Sequence, residues 1–89
     1  MMFAVRWPDG AERAYYSPSL VVADHLETGR EYTVDDFVAR CRESLTIASD
    51  RVRAKYGFPC SRAAGSLSGI ERDAAGFAGG SVTVTGFRY

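Results

Sequence analysis

Residues 33–57, TVDDFVARCRESLTIASDRVRAKYG, decide the fold. Val34, Phe37, Val38, Cys41, Leu45, Ala48 and Val52 recur at spacings of three and four, which places them on one stripe of an α-helix from Val34 to Tyr56. Thr33 supplies an N-cap oxygen with Asp36 three residues on, and Tyr32 and Phe37 stand at the positions of a hydrophobic staple. Asp35 and Asp36 lie at the positive end of the helix macrodipole, while Arg51, Arg53 and Lys55 lie at its negative end. Gly57 provides a left-handed C-cap, Phe58 is placed to fold back on Val52, and Pro59 forbids continuation. A helix of this length spans roughly 34 Å at 1.5 Å per residue, which makes it the spine of so short a chain.

Toward the N-terminus, Phe3, Val5 and Trp7 alternate with Met2, Ala4 and Arg6 as in a half-buried strand. Trp7-Pro8-Asp9-Gly10 reads as a type I turn closed by a left-handed glycine, so residues 11–16 return as the second arm of a hairpin. Ser17-Pro18 reads as an N-cap with proline at the first helical position. It opens either a short helical turn through Asp24, stopped by Gly29, or an extended segment favoured by Val21-Val22. Toward the C-terminus, Ala64, Leu67, Ile70, Ala74 and Phe77 predict a second helix over Ser61 to Gly76. Gly65 and Gly69 inside it each cost about 1 kcal/mol relative to alanine, and Ser68 with Glu71 offers a later start. Gly79-Gly80 breaks the chain before a third strand, Ser81 to Thr85, with Phe87 and Tyr89 beyond it. The reading is one α+β domain: a three-stranded antiparallel sheet, built of the N-terminal hairpin and the C-terminal strand, packed on one long helix and one shorter helix. Three strands leave two open edges, which dimerisation or docking on another protein would cover.

The 89 residues carry eleven basic and eleven acidic side chains, for zero formal net charge. The balance is uneven along the chain. Residues 1–39 hold three basic against seven acidic groups, net −4, and residues 40–62 hold six basic against two acidic, net +4. The helix ends account for part of this dipole. Asp24, Glu27 and Glu31 before the helix, and Arg51, Arg53 and Lys55 in the Arg-rich stretch from Arg51 to Arg62 that ends it, are read as interaction surface. No basic excess over the domain and no recognisable module favours nucleic acid. No apolar run long enough for a membrane span and no secretory leader is present, so the expected place is the cytoplasm, with Cys41 and Cys60 as reduced thiols.

Three clusters bear on chemistry. Cys60 follows Pro59 at the mouth of a predicted helix, where free backbone N–H groups and Arg62 favour a thiolate; as a catalytic candidate it lacks a base, the only histidine being His25. The plainer role for Cys60 is a small apolar plug. Ser61 and Arg62 are the ligand-binding candidates, an anion site at a helix start, set against Ser61 as a mere N-cap and Arg62 as a solvated side chain. Asp24-His25-x-Glu27 has no matching ligands elsewhere, so no metal is expected, and nothing calls for a cofactor. Among the aromatics Trp7, Tyr15, Tyr16, Phe87 and Tyr89, most are expected in the core and one or two where a partner docks.

The run Tyr16-Ser17-Pro18-Ser19, then Gly29-Arg30-Glu31-Tyr32, then residues 48–63, ASDRVRAKYGFPCSRA, resembles a small bacterial family of nitrogen starvation response proteins. The likeness covers residues 3 to 77, and residues 48–63 are its most specific part. The resemblance implies a gene cluster with a nitrilase, a radical-SAM protein, an acetyltransferase and a flavoprotein, tied to nitrogen starvation and cyanide assimilation. It brings no catalytic residues to positions of this chain. The function expected is a non-catalytic accessory or interaction protein that works with the cluster's enzymes, as a homodimer, bound to a cluster partner, or both. The alternative is a small thiol- or anion-binding catalyst, or a metabolite-binding protein, centred on Cys60, Ser61 and Arg62.

Overall fold

A computed structural model describes residues 1–58 and 60–89. The hairpin forms from β1 (Met2–Arg6) and β2 (Glu12–Tyr16). A short helix α1 (Val22–His25) and a three-residue strand β3 (Glu31–Thr33) lead into α2 (Val34–Tyr56). The chain then runs through α3 (Ser61–Ala74) and ends in β4 (Ser81–Arg88). The sheet is antiparallel throughout in the order β2-β1-β4-β3. It has four strands where the sequence pattern predicts three. β3 pairs Glu31, Tyr32 and Thr33 with Thr83, Val82 and Ser81, and three residues are too few to display alternation. The stretch that reads only as the approach to α2 therefore also closes one edge of the sheet.

The spine helix forms between the expected limits for the expected reasons. The Thr33 hydroxyl accepts from the Asp36 amide at 3.1 Å, and Gly57 sits at φ 85° as the left-handed cap. Its stripe supplies Val34, Phe37, Cys41, Leu45 and Ala48 to the core, while Val38 and Val52 are half-buried. Ser44 is buried on the same face because its hydroxyl donates to the Cys41 carbonyl at 3.3 Å. Phe58 does not fold back on Val52; it is 65% exposed. The reading of Pro59 as a stop falls outside the described residues.

Two further boundaries move. Ser17 does not cap a helix at Pro18: its hydroxyl donates to the Ser19 carbonyl at 2.7 Å, and Ser19 in turn accepts from the Val21 amide at 3.3 Å. These local bonds hold a turn and postpone α1 to Val22. In α3 the buried positions are Ala63 and Ile70, with Leu67 and Ala74 beside them, and Ala64 faces solvent. The residue at the N-cap position is Cys60, so Ser61 is the first helical residue rather than the cap.

One sheet face presents Phe3, Val5, Tyr15, Tyr32, Val82 and Val84 to Val22, Leu26, Phe37, Cys41, Leu45 and Ile70 of the helical layer and its connections. Trp7 closes the end of this core, edge-on to Phe37 and stacked on Phe77, each with ring centroids 5.5 Å apart. Gly80 is obligatory where β4 begins: φ is +97°, and a Cβ would stand 2.8 Å from Pro8 Cβ.

Candidate functional site

Among the described residues no helix or strand covers the opposite sheet face. Register places three rows there: Tyr16, Met2 and Arg88; Ala14, Ala4 and Gly86; Glu12, Arg6 and Thr83. A β-bulge at Ala4/Val5 adds Thr85 to this side. The middle row carries no side chain larger than a methyl group, so the face is hollow at its centre. The hollow is about 320 Å³, floored by Ala4, Ala14 and Gly86 and rimmed by Met2, Thr85 and Arg88. Arg6 and Glu12 form an exposed ion pair along one side at 3.1 Å.

At one corner of this face stands the start of α3. Cys60 is half-buried and its side chain makes no cap bond; Ser61 and Arg62 are exposed. The Arg62 guanidinium lies 3.8 Å from the centroid of the Tyr16 ring, a close cation–π contact that ties the helix start to the end of β2. His25 is engaged elsewhere: its Nδ1 is 3.2 Å from the Val21 carbonyl, and its Nε2 is 4.0 Å from Glu43. The structure thus joins Arg62 to Tyr16, and gives His25 contacts with α1 and α2. Cys41 is fully buried, and burial pushes its thiol up to about 12.

The charged groups read as interaction surface fall into separate places. Asp24, Glu27 and Glu31 are exposed on α1 and the approach to α2. Arg51, Arg53 and Lys55 are exposed in the last turns of α2, where Arg51 donates to Ser19 Oγ at 3.1 Å and Lys55 lies 5.3 Å from the Tyr56 ring. Leu20, Tyr56 and Phe58, each more than half exposed, accompany the basic group. Tyr89 is exposed beyond β4. Trp7 and Tyr15 are core, and Tyr16 and Phe87 are half-buried.

Sequence reasoning does not anticipate one polar chain. The Trp7 indole N–H donates to the Tyr15 hydroxyl at 2.9 Å, and that hydroxyl donates to Asp73 at 2.6 Å. Burial, reinforced by the bond to Asp73, raises the Tyr15 phenol well above its ordinary value, and the bond from Trp7 opposes this. A phenol held neutral this way is a latch between hairpin and α3. It lies in the covered layer, away from the hollow. Among the described residues no group of three His, Cys, Asp or Glu side chains is arranged to hold a metal ion, and no helix is long and apolar enough to cross a membrane.

These features define a small two-layer α+β protein whose four-stranded sheet is covered on one face and open on the other. The chain belongs to the family of nitrogen starvation-induced proteins called NitG, whose sequence profile matches residues 2–87. No curated protein and no solved structure matches it.

Proposed function

We propose that the protein is a non-catalytic accessory of the nitrogen-starvation response that acts by docking an enzyme of its own pathway, one encoded in the same nitrile- or cyanide-utilisation gene cluster. The uncovered sheet face carries this reading. An antiparallel face hollowed by Ala4, Ala14 and Gly86, with Met2 and Arg88 at its rim, offers a seat for a large side chain of a partner. The charged ends extend the surface. Arg51, Arg53 and Lys55 beside exposed Tyr56 and Phe58 suit an acidic patch on the partner, and Asp24, Glu27 and Glu31 suit a basic one.

The rival, chemistry at Cys60, Ser61 and Arg62, has less behind it. Arg62 is engaged by Tyr16, and the contacts of His25 are with Val21 and Glu43. Affinity purification of the tagged protein from nitrogen-starved cells tests the docking reading when run beside Ala4→Lys and Thr85→Lys, which fill the hollow from two strands. The wild type should retain a pathway enzyme and both variants should lose it. Equal recovery by all three proteins, or by none, refutes it.

A further inference from the structure

Two features are left open within one copy: a glycine in a helix interior and the outer edge of β2. Gly65 lies inside α3, yet a Cβ built there meets none of the described residues within 4 Å and its φ is not positive. Neither space nor backbone requires a glycine, although glycine weakens a helix interior. The second feature is β2, a five-residue strand that forms one edge of the sheet.

The direction of the free backbone groups follows from the ladder. Met1 and Ser17 exchange both backbone bonds, the terminal amine to the Ser17 carbonyl at 3.0 Å and the Ser17 amide to the Met1 carbonyl at 2.9 Å. Bonded and non-bonded pairs alternate in an antiparallel ladder, so Tyr15 and Arg13 also bond inward to β1. The N–H and C=O groups of Glu12, Ala14 and Tyr16 therefore point to the open edge. Two copies of β2 set antiparallel have a single register that pairs all three residues. It puts Ala14 opposite Ala14 of the second copy and Glu12 opposite Tyr16, with all outward donors of both strands matched to acceptors.

That register also brings complementary charges together. Tyr16 carries the Arg62 guanidinium on its ring, and among the described residues Arg62 has no carboxylate partner. Glu12 of the second copy, exposed and ion-paired with Arg6 of its own chain, arrives beside it and is shared between the two guanidinium groups, twice by symmetry. α3 is already over β2, since Gly69 lies against the Tyr15 ring and Asp73 bonds its hydroxyl. At 100° per residue, Leu67 and Glu71 turn toward α2, where Glu71 meets Arg42 at 3.3 Å. Gly65 and Gly69 share the opposite flank, the one above the open edge. Two glycines one turn apart let a second α3 backbone approach closely.

We infer that the protein forms a two-fold symmetric dimer closed by β2 against β2 and α3 against α3, a continuous eight-stranded sheet whose two outer hollows adjoin across Ala14. The dimer does not depend on the docking of an enzyme, because it uses the strand edge and the variants at Ala4 and Thr85 leave that edge intact. Sedimentation equilibrium of the wild type should give twice 9.7 kDa. Gly65→Gln, a better helix former in space that is open within one copy, should keep the far-UV circular dichroism and weaken dimerisation at least tenfold. Ala14→Pro removes an N–H that β1 does not use and should act alike; should it unfold, Gly65→Gln decides. Ala14→Cys in a Cys60→Ser background should oxidise to a covalent dimer. A monomeric wild type, a folded variant of either kind with the wild-type dimer constant, or an Ala14→Cys protein that never crosslinks overturns the inference.

Discussion

Tyr15→Phe deletes one oxygen from a ring that is 8% exposed, and the structure says what is lost. The contact of the ring with Phe3, centroids 5.7 Å apart, survives. The Trp7 N–H loses its acceptor in a residue that is 2% exposed, and Asp73 loses its donor. A buried donor left unpaired costs about 1–3 kcal/mol. The bond to a carboxylate contributes about 1.5–3 kcal/mol, discounted here because Asp73 is half-buried and regains water. Together the loss is about 2–4 kcal/mol, which lowers the melting temperature of a domain this size by roughly 10–20 °C. Trp7 is the only tryptophan, so its fluorescence reports the unfolding of this site while circular dichroism reports the whole. Asp73→Asn keeps an acceptor and gives up only the charge, about 1 kcal/mol. The pH dependence is a second signature. The Tyr15 phenol is raised in the folded state, so its contribution is complete below pH 10, where unfolded tyrosine titrates, and is lost as pH rises toward the folded value. By pH 11 the gap between wild type and Tyr15→Phe should narrow by about 1 kcal/mol. A variant within 0.5 kcal/mol of wild type at neutral pH, or a gap that widens in alkali, would refute the latch.

Other expectations follow from single sites. Gly80→Ala puts a Cβ on Pro8 at a positive φ and should cost about 2–4 kcal/mol in urea titration; a neutral result would mean that the hairpin turn and β4 do not meet. Thiol labelling at pH 8 should count one cysteine natively and two in denaturant, because Cys41 is buried and its thiol is pushed to about 12 while Cys60 is half-buried; native labelling of Cys41 would contradict the core. Reversing Arg53 and Lys55 to Glu should weaken partner binding severalfold at low salt and little at high salt, and should lower stability by about 1–2 kcal/mol because two carboxylates then stand at the negative end of α2; loss of binding that is indifferent to salt would place the contact elsewhere.

The parts of the fold legible in the sequence are those coded by near neighbours. Thr33, Asp36 and Gly57 mark the limits of α2 through contacts within one turn, and Pro8-Asp9-Gly10 marks the hairpin; both stand as read. β3 is invisible because its strand character comes from β4, 48 to 52 residues away in sequence, and not from its own three residues. Ser17 misleads because a hydroxyl before proline serves a local turn as well as a helix cap, and only its complete burial separates the two uses. The Trp7–Tyr15–Asp73 chain depends on a bond between residues 58 apart, and its one sequence signal is an aspartate three positions from Ile70, beside the apolar stripe of α3. The open sheet face is hidden for a similar reason: Ala4, Ala14 and Gly86 are unremarkable until register sets them in one row.

The proposed docking function requires that this face hold a partner. The most direct measurement is crosslinking mass spectrometry on wild-type protein recovered from nitrogen-starved cells, repeated with Thr85→Lys and with Gly65→Gln as the control that spares the face. Crosslinks from a pathway enzyme should converge on the rows around Ala4 and Gly86, vanish with Thr85→Lys and persist with Gly65→Gln. Crosslinks confined to the helical side, or undiminished by Thr85→Lys, would contradict it.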